Sequence, residues 1–180
     1  MSETTADRVT RLINDFDRRV QAAPADSWTN PAPCADWTAR DVVAHVLGAM
    51  NRMLAQGGEP KEIAPDADIV AEWNATKPQF LTMLGAADMT MNVQGPFGPM
   101  PLEQALGRLM ATDVLVHTWD LARAVGGDEQ LGEDDVAHAY EGLKPMDALI
   151  RMPGVFGPKV ESAPDADQQT QFLNFLGRQV

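Results

Sequence analysis

Three ionisable residues, Asp113, His117 and Asp120, fall together in the segment ATDVLVHTWDLARA, among residues that otherwise read as core. On an ideal helix counted from Leu102, Leu106, Leu109 and Val116 land within about 40° of the start, and so do Asp113 and Asp120. His117 lands about 60° away, beside Leu106. A stripe that begins as leucines therefore continues as two carboxylates and an imidazole. Burying such groups without partners is costly. A bound cation would satisfy them, and so would an internal hydrogen-bond network; the residue pattern alone leaves both open.

Asp113 and His117 stand at i and i+4, a spacing that brings two side chains together on one helix face. A carboxylate oxygen and an imidazole nitrogen so placed make half of a bundle metal site, and a third ligand must come from a neighbouring helix. The chain has two other histidines, His45 and His138. His45, in WTARDVVAHVLG, fits a surface position as well as a ligand when read alone. His138 lies in an acid-rich stretch and reads as an ordinary, partly exposed histidine. Convergence of His45, Asp113 and His117 would give two imidazoles and one carboxylate with open coordination positions. That set suits catalytic zinc, and also nickel, non-haem iron or manganese.

Asp120 is expected either to orient a ligating histidine or to pair with Arg123 or Arg108. Arg40, Arg123 and Arg52 are candidates for binding carboxylates of a cosubstrate, with solvated helix arginines as the plainer reading. Cys34 reads as a small buried thiol with no sequence neighbour to activate it. Trp73 and Trp119 read as core aromatics. The signatures G-x-S-x-G and G-x-x-x-x-G-K-[ST] are absent.

These residues need helices to carry them. Val9, Leu12, Ile13, Phe16 and Val20 recur at helical spacing and predict a first helix over about residues 5–22. Three prolines in PADSWTNPAPCADW end it and predict a loop carrying Trp28 and Trp37. Thr38 with Asp41 three residues on resembles a capping box and opens a second helix, which stops near Gly57-Gly58. A third helix is expected over about residues 66–84, kinked or split at Pro78. MTMNVQGPFGPMP predicts a short hairpin or extended crossover. The fourth helix, about residues 102–125, ends at Gly126-Gly127. A fifth, about 133–149, bends at Pro145, and MPGVFGPKVESAPDAD reads as a loop. A last short helix covers about 166–176. The expected product is an all-α single domain over residues 1–180, an up-down four-helix bundle with a short extended insertion and extra C-terminal helices.

With 180 residues and 44% hydrophobic content, the chain can bury a full core. Its net charge of −12 argues against nucleic acid and anionic membrane as partners. A single cysteine excludes an intrachain disulfide, and no stretch of about 18 apolar residues predicts a membrane span. The polar start MSETTADRVTRL does not read as a signal peptide. A cytoplasmic location is expected.

Two stretches carry a family resemblance. WTNPAPCADWTARDVVAHV, Trp28 to Val46, is similar to the amino-terminal signature of the mycothiol-dependent maleylpyruvate isomerase-like proteins, within the DinB-like superfamily of four-helix metal-binding bundles. DVLVHTWDLARAVG, Asp113 to Gly126, resembles their second signature. The tail FGPKVESAPDAD followed by FLGR is similar to an actinobacterial branch of the group. The resemblance implies a divalent metal, zinc first, held by His45, Asp113 and His117. It implies a low-molecular-weight thiol such as mycothiol as cosubstrate, an electrophilic small molecule as substrate, and a transferase or isomerase activity. The alternative is a non-catalytic metal- or ligand-binding stress-response bundle. A homodimer is the oligomer met among related bundles. One departure stands out: the isomerase carries glutamate where this chain has Asp113, and thiol-transferase relatives carry histidine. The isomerase also has an additional carboxy-terminal domain, for which this chain is too short.

Overall fold

The computed structural model describes residues 3–55, 57–95, 98–151 and 156–180. Four helices form the bundle: α1 (Thr5–Ala22), α2 (Ala39–Leu54), α3 (Ile69–Ala86) and α5 (Ala111–Val125). α1 packs on α3 and α5, and α2 packs on the same two, so α1 and α2 lie on one diagonal of the ring. The chain must therefore cross the bundle twice, by the loop after α1 and by the hairpin after α3.

Each helix starts where its sequence offers a cap. Thr4 and Asp7 form a reciprocal capping box on α1, and Thr38 and Asp41 form another on α2. Asp68 caps α3, accepting from the backbone N–H groups of Val70 and Ala71. Of the two outcomes expected at Pro78, a kink or a split, the split does not occur: α3 is one helix through Pro78. Pro78 and Asn74 both face solvent, so the carbonyl that the ring leaves without a donor can bond to water. The core joins Phe16 of α1, Leu47 and Met50 of α2, Trp73 and Phe80 of α3, and Leu115, Trp119 and Leu121 of α5, all at most 2% exposed. Phe16 and Trp73 pack with ring centroids 4.9 Å apart.

The extended segment after α3 is an antiparallel hairpin, β1 (Asn92–Gly95) with β2 (Gly98–Pro101). Its turn at residues 96–97 lies outside the described residues. The segment read as one fourth helix is a short α4 (Leu102–Gln104), a π-helical stretch Ala105–Met110, and α5. A π turn holds one extra residue, so the helix beyond it lags by about one residue's rotation, roughly 100°. The straight leucine stripe is thereby corrected: Leu109 turns partly outward and Met110 is buried in its place. α5 is enclosed on nearly every side and ends at Gly126, in the left-handed region at φ 69°.

The fifth expected helix breaks at Pro145 as its sequence suggests, into α6 (Glu133–Leu143), a 3₁₀ turn (Lys144–Met146) and α7 (Asp147–Ile150). Part of the loop beyond it, residues 152–155, lies outside the described residues. The last helix, α8 (Gln168–Phe175), starts at the Asp167 cap and packs against α6. It buries Phe172, Leu173 and Leu176.

Candidate metal centre

His45 on α2 and Asp113 and His117 on α5 meet where these helices pack. His45 Nε2 lies 3.2 and 3.1 Å from the two oxygens of Asp113. His117 Nε2 lies 3.5 Å from Asp113 Oδ1. One donor atom from each residue falls within 4.8 Å of the others. Two ligands about 2.05 Å from a tetrahedral zinc are about 3.3 Å apart, so the separations of both imidazoles from Asp113 are close to what one such ion requires of its shell. The donor set, two imidazole nitrogens and one carboxylate oxygen, also suits a borderline divalent cation.

Asp120 sits one turn behind, fully buried. His117 Nδ1 lies 2.9 Å from Asp120 Oδ2, which leaves Nε2 on the Asp113 side. Asp120 does not pair with Arg108 or Arg123. Its partner is Arg178, beyond α8, which donates Nε to Oδ1 at 3.1 Å and Nη2 to Oδ2 at 2.8 Å. Burial works against the Asp120 carboxylate, but hydrogen bonds from His117 and Arg178 outweigh it and hold its pKa down at about 2. Burial likewise raises Asp113, and the two imidazoles more than reverse that, taking it below the ordinary carboxylate range. Burial opposes charge on His117, yet the flanking carboxylates raise its pKa well above the usual value. A proton on His117 compensates the two acids, and a cation between the donors would do the same.

The loop before α2 supplies the wall. Trp37 N–H donates to Cys34 O at 3.1 Å and Ala32 N–H to Trp37 O at 2.8 Å, closing a tight turn in which Asp36 takes a left-handed φ of 64°. Trp37 is thereby stacked on His117, with centroids 5.6 Å apart, and tilted on His45 at 5.0 Å. The same turn sets Cys34 Sγ 3.3 Å from Asp120 Oδ2 and 3.2 Å from Arg178 Nη2. Cys34, His117 and Asp120 also come within 4.8 Å of one another. There the Arg178 guanidinium already brings the positive charge that a cation would.

The side chains of His45 and Asp113 are 34% and 32% exposed, against 8% for His117 and 0% for Asp120. The cluster therefore opens one way, into a cleft of about 2790 Å³. That exceeds the roughly 300–1,000 Å³ of a closed small-molecule pocket, so the cleft is an open groove. Met53, Met83, Met91, Met100 and Met110 line it, with Arg52 and Arg108 also on its walls. Of the three arginines considered for a cosubstrate, only Arg52 lines the cleft. Arg40 donates to the carbonyls of Ala64 and Ala67. Arg123 pairs with Glu129 and lies over the Trp119 ring. His138 is exposed and outside both clusters.

Residues 9–122, which run from within α1 through most of α5 and include all three clustered donors, match the family model described as the mycothiol maleylpyruvate isomerase N-terminal domain. The chain belongs to this family. Two mycobacterial relatives match it along most of its length. Both are described as uncharacterized proteins of Mycobacterium tuberculosis, one from strain H37Rv and one from strain CDC 1551 / Oshkosh. Each is 31% identical over 163 residues, covering 87% of this chain and 87% of its own. No solved structure gives a significant match.

Sequence reasoning missed Trp37 and Arg178 as parts of the site. Neither carries a periodic signal. Trp37 depends on a turn, and Arg178 arrives from 58 residues beyond its partner.

Proposed function

We propose that this protein binds a divalent cation, zinc first, through His45, Asp113 and His117, and acts as a metal-dependent transferase or isomerase with a low-molecular-weight thiol. The observation that supports this best is the spacing of three donors, from two helices, at an opening onto a broad groove. When bound, such a cation supplies Lewis acidity that favours the thiolate of a thiol at neutral pH.

The chain's own residues do the rest. Asp120 fixes the His117 ring through Nδ1 and keeps Nε2 for the cluster. Trp37 covers both imidazoles and keeps bulk water from that side. The methionine-lined groove takes the apolar part of a substrate, since thioether side chains adapt to irregular shapes. Arg52 and Arg108 make no ion pair among the described residues and offer guanidinium groups to a carboxylate.

Purified protein should carry near-stoichiometric divalent metal by elemental analysis, and His117→Ala should lose it. Thiol conjugation to electrophiles, screened with mycothiol and simpler thiols, should follow the metal content. Protein that is metal-free and refuses added zinc and nickel would overturn the proposal.

A further inference from the structure

We propose that Arg178 is a positioning residue for the histidine–carboxylate cluster, acting through Asp120, and that the C-terminal turn after α8 exists to deliver it. The inference rests on the reading of His117 as a metal ligand, but its central observation does not require a metal.

The delivery is specific. Gly177 stands at φ 85°, in the region that disfavours side chains, and a Cβ there would come 2.8 Å from Pro158 O. Its N–H bonds to Asn174 O at 2.9 Å, and Arg178 N–H bonds to Leu173 O at 2.9 Å. The chain thus folds back on α8, and the Arg178 side chain enters the bundle with only 10% of it exposed. Both its Nε and Nη2 then meet Asp120. A planar fork against a carboxylate fixes the carboxylate's plane, which a single contact cannot do.

That plane matters because Asp120 is fully buried, away from bulk solvent, and depends on protein partners for its orientation. Its Oδ2 also faces His117 Nδ1 and Cys34 Sγ. Without Arg178 the buried carboxylate keeps only an imidazole and a thiol, both on Oδ2, and it can rotate. That rotation frees the His117 ring, and with it the direction of Nε2. The partners that orient a metal-ligating histidine typically command about 10- to 100-fold in metal affinity.

The decisive measurement is the His117 Nδ1–H proton by ¹⁵N-edited NMR, in metal-free protein and after zinc addition. In the parent it should be a downfield, exchange-protected resonance. Arg178→Met should lose or shift it and weaken zinc binding about 10-fold or more. Arg178→Lys keeps a charge near Asp120 and should restore part of both. Phe80→Leu destabilises the core from α3, away from both α8 and Asp120, and should leave the resonance in place at a comparable loss of melting temperature. A folded Arg178→Met with the parent's resonance overturns the proposal. So does a Phe80→Leu variant that shifts it as far. Failure of every variant and the parent to bind zinc would refute the metal reading alone, since the resonance is read without metal.

Discussion

His45 Nε2 sits within 3.2 Å of both oxygens of Asp113, although 68 residues separate them in the chain. The contact ties α2 to α5 at one point, and both groups remain about one-third exposed. Asp113 contributes the only negative charge among the three donors, so Asp113→Asn removes the charge and nearly preserves the shape. Zinc affinity by isothermal titration should fall by roughly 100-fold or more, beyond what outer partners of a ligand command. Helix content by circular dichroism should stay unchanged.

Trp37 reports on the same cluster. A protonated imidazole quenches indole emission, and His117 lies stacked on this ring. Cation binding displaces that proton, so emission should rise on zinc addition. The rise should be absent in Trp37→Phe, although Trp28, Trp73 and Trp119 remain. An undiminished rise in that variant would place the effect elsewhere.

The π-helical stretch sets which side chain fills the core next to the cluster. Met110→Ala should cost about 2–4 kcal/mol and Leu109→Ala under about 1 kcal/mol in urea unfolding. An unshifted α-helix predicts the reverse order, so the pair of measurements tests the register directly.

Acid stability should depend on Asp17. Burial opposes its charge, but Lys77, Gln21 and Trp73 donate to it and together lower its pKa. A carboxylate whose pKa is lower in the folded state contributes stability that is whole above its unfolded value near 3.9. That contribution disappears as pH falls through the folded value. The urea midpoint should therefore drop between about pH 5 and pH 2, and Asp17→Asn should lower the midpoint at pH 7 and flatten the drop.

Gly177→Ala tests the C-terminal turn. Positive φ together with the approach to Pro158 O should cost about 1–3 kcal/mol in thermal unfolding. The same change should weaken zinc binding, because it displaces the neighbouring arginine.

Much of this architecture was legible in the residues. Val9 to Val20 and Val43 to Met50 follow helical periodicity, and Thr38 with Asp41 marks the start of the helix that carries His45. The Asp113–His117 pair was legible because its spacing is local. Periodicity could not find the π turn, since ALGRLM contains no proline and its lone Gly107 is of a kind tolerated inside a regular helix. Nor could it find Arg178, whose role depends on Gly177 and on the docking of α8. Pro78 left a kink and a split both open for a related reason: its sequence signal is local, whereas its cost depends on whether the freed carbonyl faces water.

The unequal exposure of the cluster gives it a front and a back. Asp120 and Arg178 are sealed behind it, while His45 and Asp113 look onto flexible thioethers. Chain changes among those methionines can remodel which molecules are admitted while the sealed half stays as it is. A scaffold divided in this manner lends itself to diversification of reactivity by repainting one wall.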